Sequence, residues 1–254
     1  MGLTMTASSP DGDVGADLHF YFDPVCPFAW MASKWVRIVQ RQRNYDVDWR
    51  FISLRLVNAD IDYDAHFPPE YEASHAAGLK LLRVAARIRQ ERGSELVGAF
   101  YRSLGEQTFE RSSVPGGTGA AAHLGPRVLA AEALERGGLP AEYVEALDDP
   151  SRDAEIQAET DRALELTGKD VGTPILHFDP PNGTALFGPV ISRLPSEAEA
   201  ADLWEHVVAL SRFPGFAELK RSLREKPQLA SFGVQQGEAG AQEDWHGGSR
   251  RLKK

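Results

Sequence analysis

Phe22-Asp23-Pro24-Val25-Cys26-Pro27-Phe28-Ala29-Trp30 joins an apolar run, Leu18 to Phe22, to a segment with helical spacing. Asp23-Pro24 breaks the strand. Pro27 suits a first helical turn, where its missing N–H costs nothing. Beyond it, Trp30, Trp35, Ile38 and Val39 recur near the helical period to about Arg43. Cys26 therefore falls at a strand-to-helix turn, beside the free N–H groups of the helix that follows. Those groups and the helix dipole favour a negative sulfur. The position predicts a partly exposed Cys26 with a lowered pKa, and thiolate is the reactive form. A lone cysteine also reads as a small buried hydrophobe, but such residues sit more often in the middle of an element than at its first turn.

Val47 to Leu54 alternates and is rich in aromatic and β-branched residues, which predicts a second strand. Strand, helix, strand over this distance is a βαβ unit with parallel strands. The middle of the chain differs. Pro69 to Arg92, Ser94 to Leu104, Ala120 to Arg136, Ala141 to Leu147 and Ser151 to Thr167 all read as helical. In the first of these, Leu81, Val84, Ala85 and Ile88 share one side. Lys80, Arg83 and Arg87 share another, either as a hold for an anionic ligand group or as a solvated face. Strand character returns at Ile175 to Phe178 and at Thr184 to Phe187, with Pro180-Pro181-Asn182-Gly183 as the turn of a hairpin. A last helix runs from about Ser196 to Leu210.

The order predicts an α/β, thioredoxin-like fold, β-α-β then β-hairpin and α, with an all-helical insertion. The expected division is a disordered leader over 1–16, a thioredoxin-like domain from 17–67 and 168–225, a helical insertion over 68–167, and a disordered tail over 226–254.

A second chemical feature lies far from Cys26. Val171-Gly172-Thr173-Pro174 immediately precedes the strand that begins at Ile175. A proline there is either an ordinary trans residue at a strand start or a cis proline packed on the active-site cysteine. The pair of a Cys-Pro turn after the first strand and a Gly-Thr-Pro before the third resembles the DsbA superfamily. It is closest to the mycothiol-dependent nitroreductase family of DsbA-like proteins. The resemblance spans roughly Leu18 to Leu223. It rests on Asp23-Pro24-Val25-Cys26-Pro27, Trp30, Trp35, Gly172-Thr173-Pro174 and His177. It continues through Phe187-Gly188-Pro189-Val190, Leu203-Trp204, Pro214, Phe216 and Glu218-Leu219-Lys220.

The resemblance implies a thioredoxin fold with a helical lid and a cis Thr173-Pro174 bond against Cys26. It also implies reduction of small disulfides or of electrophilic, nitro-bearing compounds, supported by the small thiol mycothiol. The family's Cys-Pro-Trp-Cys is Cys26-Pro27-Phe28-Ala29 here, so the resolving cysteine is absent. Phe109 stands where the family has histidine. A one-cysteine route stays chemically complete: Cys26 attacks, and a small thiol releases it by exchange. Cys26 is the expected nucleophile, with Pro27, Phe28, Thr173 and Pro174 shaping the substrate site. Trp30 flanks the site, either as a possible contact or, on the favoured reading, as core, and His177 either lines the site or is structural.

Composition narrows the partners. A net charge of −9 argues against nucleic acid and anionic membranes. Met1 to Pro10 has neither a basic nor an apolar run, so no secretory signal is expected. No segment reaches the roughly 18 apolar residues of a membrane span, and the expected compartment is the cytoplasm. Met1-Gly2 with Thr6 meets the loose myristoylation pattern only. A single cysteine excludes an internal disulfide and a cysteine-based zinc cluster. Asp60 to Asp64 imitates a calcium loop but lacks its glycine at Ala65 and its glutamate at Tyr71. Gly117 to Ala122 imitates a dinucleotide fingerprint without the preceding strand. No metal and no tightly bound cofactor is expected, and a low-molecular-weight thiol enters as co-substrate. Two other readings stand beside the reductase: an isomerase or transferase of the kappa-class glutathione transferase type, and a non-catalytic thioredoxin-fold binding protein. The oligomeric state is left open.

Overall fold

The computed structural model describes residues 15–67, 69–111, 120–168, 170–221 and 225–242. Four strands form one sheet in the order β2-β1-β3-β4. They are β1 (Leu18–Phe22), β2 (Val47–Phe51), β3 (Ile175–Phe178) and β4 (Ala185–Phe187). β1 runs parallel to β2 and antiparallel to β3, with Leu18 opposite Val47 on one side and Phe178 on the other. β3 and β4 form the anticipated hairpin. This is the thioredoxin-like arrangement, and β1 and β3 start and stop where their apolar runs do. The expected Thr173–Pro174 bond is cis.

The pleat sorts side chains onto two faces. Leu18, Phe20, Phe22, Trp49, Phe51, Leu176 and Phe178 enter the main core, beneath α1 (Pro27–Gln42) and α8 (Glu197–Ser211). There Trp35 packs edge-on to Trp204 and donates through Nε1 to the Ala200 carbonyl at 2.9 Å. Tyr21, Ile52 and Ile175 face the other way, against Ala163 and Leu166 of α7 (Asp153–Thr167). Glu159 of the same helix accepts the Phe51 N–H at 2.7 Å, and Thr160 Oγ1 accepts the Ser53 N–H at 3.1 Å. α7 thus serves as the sheet's second cover.

Between β2 and α7 come two short helices, α2 (Leu54–Val57) and α3 (Tyr63–His66), then α4 (Glu70–Arg92), α5 (Glu95–Phe109) and α6 (Ala120–Arg136). α6 is broken at Gly125-Pro126, and 141–148 is a 3-10 segment. Leu81, Val84, Ala85 and Ile88 of α4 are buried, as their spacing requires. The Lys80, Arg83 and Arg87 stripe is engaged within the chain. Lys80 pairs with Asp148, Arg83 makes a two-pronged bond to Asp153 at 2.7 Å, and Arg87 donates to the Glu142 carbonyl at 2.9 Å. The stripe clamps α4 to the segment that leads into α7.

Part of the expected tail is packed. Leu229 is fully buried in the main core, Glu225 pairs with Arg193 at 2.6 Å, and the Gln228 N–H donates to the Ser192 carbonyl at 2.7 Å. One leucine in a polar stretch carries no periodic signal, which is why composition misses it. The leader through residue 14, the segment 112–119 and the tail from 243 lie outside the described residues.

α5 crosses α1 at Gly105, where an added Cβ would collide with the ring of the buried Trp30. Gly105→Ala gains helix propensity yet overpacks this contact, for which a cost of about 1–3 kcal/mol is typical. Urea denaturation is expected to show a lower midpoint at unchanged slope. An unchanged midpoint would show that α5 has slack over Trp30.

Candidate active site

Cys26 is the N-cap of α1, in extended conformation, and its sulfur accepts the Ala29 N–H at 3.4 Å. The thiol in turn donates to the Thr173 carbonyl at 3.3 Å. Two turns 147 residues apart in sequence therefore meet at one sulfur. Thr173 is itself tied down, its Oγ1 donating to the Tyr21 carbonyl at 3.0 Å, while the Gly188 N–H donates to the Pro174 carbonyl at 2.8 Å. Thr173 and Pro174 are both buried. The structure thus brings Cys26, Thr173 and Pro174 together, with Pro27 at the first position of α1 and Phe28 packed half-buried beside them.

The expected exposure and acidity of Cys26 are not observed. The residue is only 7% exposed, and burial pushes its thiol up to about 12. The N–H groups of Ala29 and Phe28 do pull the value down, but desolvation outweighs them. The local sequence shows the helix start correctly. It does not show the layer of chain that covers it.

That cover comes from α4 and α5. Asp23, the residue after β1 ends at Phe22, is fully buried. Its Oδ1 accepts the Val25 N–H at 3.0 Å, and its Oδ2 accepts the Leu54 N–H at 2.8 Å. Gly78 of α4 presses on this loop so closely that a Cβ would lie 2.5 Å from Asp23 Oδ1. Burial raises the Asp23 carboxyl to about 7 despite the two N–H donors. From α5, Tyr101 stacks on Phe22 with ring centroids 3.9 Å apart. Sequence reasoning missed Gly78 and Tyr101. A glycine inside a strong helical pattern is the available signal for close backbone approach.

Two other residues fall outside the site. Trp30 is core, as read, with its Nε1 donating to Glu110 Oε1 at 2.7 Å and Phe109 stacked beside it. His177 is buried. It sits at the third position of β3, about 10 Å along the strand from Pro174, on the α7 side of the sheet. There it lies edge-on to its cross-strand partner His19. The mouth of the site is apolar instead: Leu54 and the 45% exposed Phe187 flank Gly172 within about 4 Å of where its Cβ would be.

The sequence profile of the mycothiol-dependent nitroreductase Rv2466c family matches residues 25–221. The chain belongs to that family. The uncharacterized protein Rv2286c of Mycobacterium tuberculosis is 31% identical over 204 residues, 80% of this chain and 81% of that one. Two solved structures are distantly similar in fold. The cytosolic disulfide reductase DsbM of Pseudomonas aeruginosa is 15% identical, covering 76% of this chain and 98% of its own at a TM-score of 0.45. A thioredoxin-like oxidoreductase from Silicibacter pomeroyi DSS-3 is 17% identical, covering 78% and 90% at 0.44. The missing second cysteine leaves it with one thiol, at Cys26. No described helix is long and apolar enough to cross a membrane.

Two buried acids with raised pKa values set a sign for stability against pH. Each keeps its proton in the folded state while the unfolded chain has already released it, so stability falls as pH rises. Asp23 contributes fully below about pH 4, and its contribution is lost as pH rises to about 7. Cys26 contributes a second loss that begins above about pH 8.5. Urea titrations from pH 4 to 10 are expected to show both declines, the upper one removed by Cys26→Ala. A wild-type stability that rises through pH 5–7 and stays flat above 8.5 would contradict the burial of these groups.

Proposed function

We propose that the protein is a cytoplasmic monothiol oxidoreductase that uses Cys26 as its nucleophile and a low-molecular-weight thiol, mycothiol, as its electron source. The observation that carries this reading is the single sulfur held at the N-cap of α1 against the Thr173-Pro174 turn. The substrates are small disulfides or electrophilic, nitro-bearing compounds, which suit an apolar mouth formed by Phe28, Leu54 and Phe187. Pro27, Thr173 and Pro174 shape the contact surface, and the Thr173 carbonyl takes the thiol proton's hydrogen bond at rest.

With a disulfide substrate the steps balance. The Cys26 thiolate attacks one sulfur, forming a mixed disulfide and expelling the other as thiolate. A free thiol then attacks the mixed disulfide, restores Cys26 and leaves as the oxidised partner. Ala29 occupies the place from which a second cysteine would act, three residues on and on the same helix face. The releasing thiol must therefore come from solution. The same absence supports a second reading, a kappa-class-like isomerase or transferase that activates the thiol without net redox change.

Thiol-dependent turnover is expected to vanish in Cys26→Ser. In Ala29→Cys the mixed disulfide is expected to stop accumulating, and its release to become independent of thiol concentration. Net oxidation of the small thiol separates the reductase from the isomerase. Full turnover by Cys26→Ser would overturn the nucleophile assignment and leave the isomerase or a non-catalytic binding protein.

A further inference from the structure

Asp23 holds the backbone turn that leads into Cys26. Its carbonyl accepts the Cys26 N–H at 3.0 Å, and its carboxylate oxygens accept the Val25 and Leu54 N–H groups. It therefore joins the turn before α1 to the start of α2, while Gly78 of α4 seals it from solvent. Among the described residues, no arginine, lysine or histidine is hydrogen-bonded to it; its donors are the two backbone N–H groups. Such a carboxyl is needed neither for solubility nor for an ion pair, and its burial is costly unless the position requires it. The titratable groups that feel its charge are Cys26 on the α1 side and Tyr101 from α5. From α4 the nearest titratable neighbour in sequence, His75, is turned away to the Tyr63 hydroxyl at 3.0 Å.

We propose that Asp23 is a positioning residue for Cys26. Its carboxylate builds the turn that presents the sulfur, and its charge keeps that sulfur in the thiol form while α4 covers the loop. A carboxylate this close disfavours a second negative charge. With Asp23 protonated, the sulfur ionises more readily; with Asp23 ionised, it is restrained until the loop admits water. Coupling of this kind makes the two groups titrate as a pair. It gives a cysteine without a resolving partner protection from adventitious oxidation, since susceptibility follows thiolate character and exposure.

The inference rests on Cys26 as the reacting thiol, but its test reads thiol ionisation and not turnover, so the two can fail separately. The measurement is the rate of Cys26 alkylation by iodoacetamide from pH 5 to 10, in wild type and in Asp23→Asn. In the wild type the logarithm of the rate is expected to rise with pH but to flatten near pH 7, where Asp23 ionises. In Asp23→Asn the flattening disappears and the rate at pH 8 rises about threefold or more, as removal of a neighbouring charge implies. A purely structural role would raise the rate by one common factor at every pH and leave the wild-type shape intact. That result, or a wild-type profile of unbroken unit slope, overturns the proposal. The wild-type profile decides the matter even if the variant does not fold.

Discussion

The hydrogen bond from the Cys26 thiol to the Thr173 carbonyl ties the two halves of the molecule to one atom. On one side, β1 ends, Asp23-Pro24 turns the chain, and α1 starts with its Ala29 N–H aimed at the sulfur. On the other, the turn into β3 carries Thr173, whose hydroxyl is fixed to the Tyr21 carbonyl of β1. Antiparallel pairing of β1 and β3 brings these ends together, and the intervening helices are free to serve as a cover. α4 and α5 do so through close helix contacts at Gly78 and Gly105.

On the proposed function, the consequence for chemistry is a nucleophile assembled beneath its cover and held as the thiol. A helix N-terminus alone lowers a thiol's pKa, and here the same geometry is present under a layer of protein that raises it. Reaction requires the cover to admit a substrate and water, which would restore the effect of the N–H donors. Membership in the mycothiol-dependent nitroreductase family fits a site built for a small thiol. In the proposed cycle, the loss of the second cysteine leaves the release step to that thiol.

Much of this was legible in the residues. The limits of β1 and β3 follow from short apolar runs bounded by proline and aspartate, and the first turn of α1 from Cys26-Pro27. The pairing of the Cys-Pro turn with Thr173-Pro174 was also legible, through the family resemblance. What was not legible depends on long-range packing. Cys26 reads as exposed because nothing in Asp23 to Trp30 encodes the arrival of Gly78 more than fifty residues later. His177 reads as ambiguous because strand alternation does not reveal which face meets α7. The Lys80, Arg83 and Arg87 stripe reads as solvated because its acidic partners, Asp148 and Asp153, belong to a different segment. Leu54, taken as the end of a strand, instead starts α2, where its N–H is drawn to the buried Asp23 carboxylate.

The central claim is that Cys26 carries a small thiol as a mixed disulfide between turnovers. The most direct measurement is intact-protein and peptide mass spectrometry of protein treated with the disulfide of mycothiol, then with free mycothiol. The account predicts one adduct of the mass of a single mycothiol on the peptide containing Cys26, removed by the second treatment. A protein that stays unmodified under conditions where turnover proceeds would contradict it.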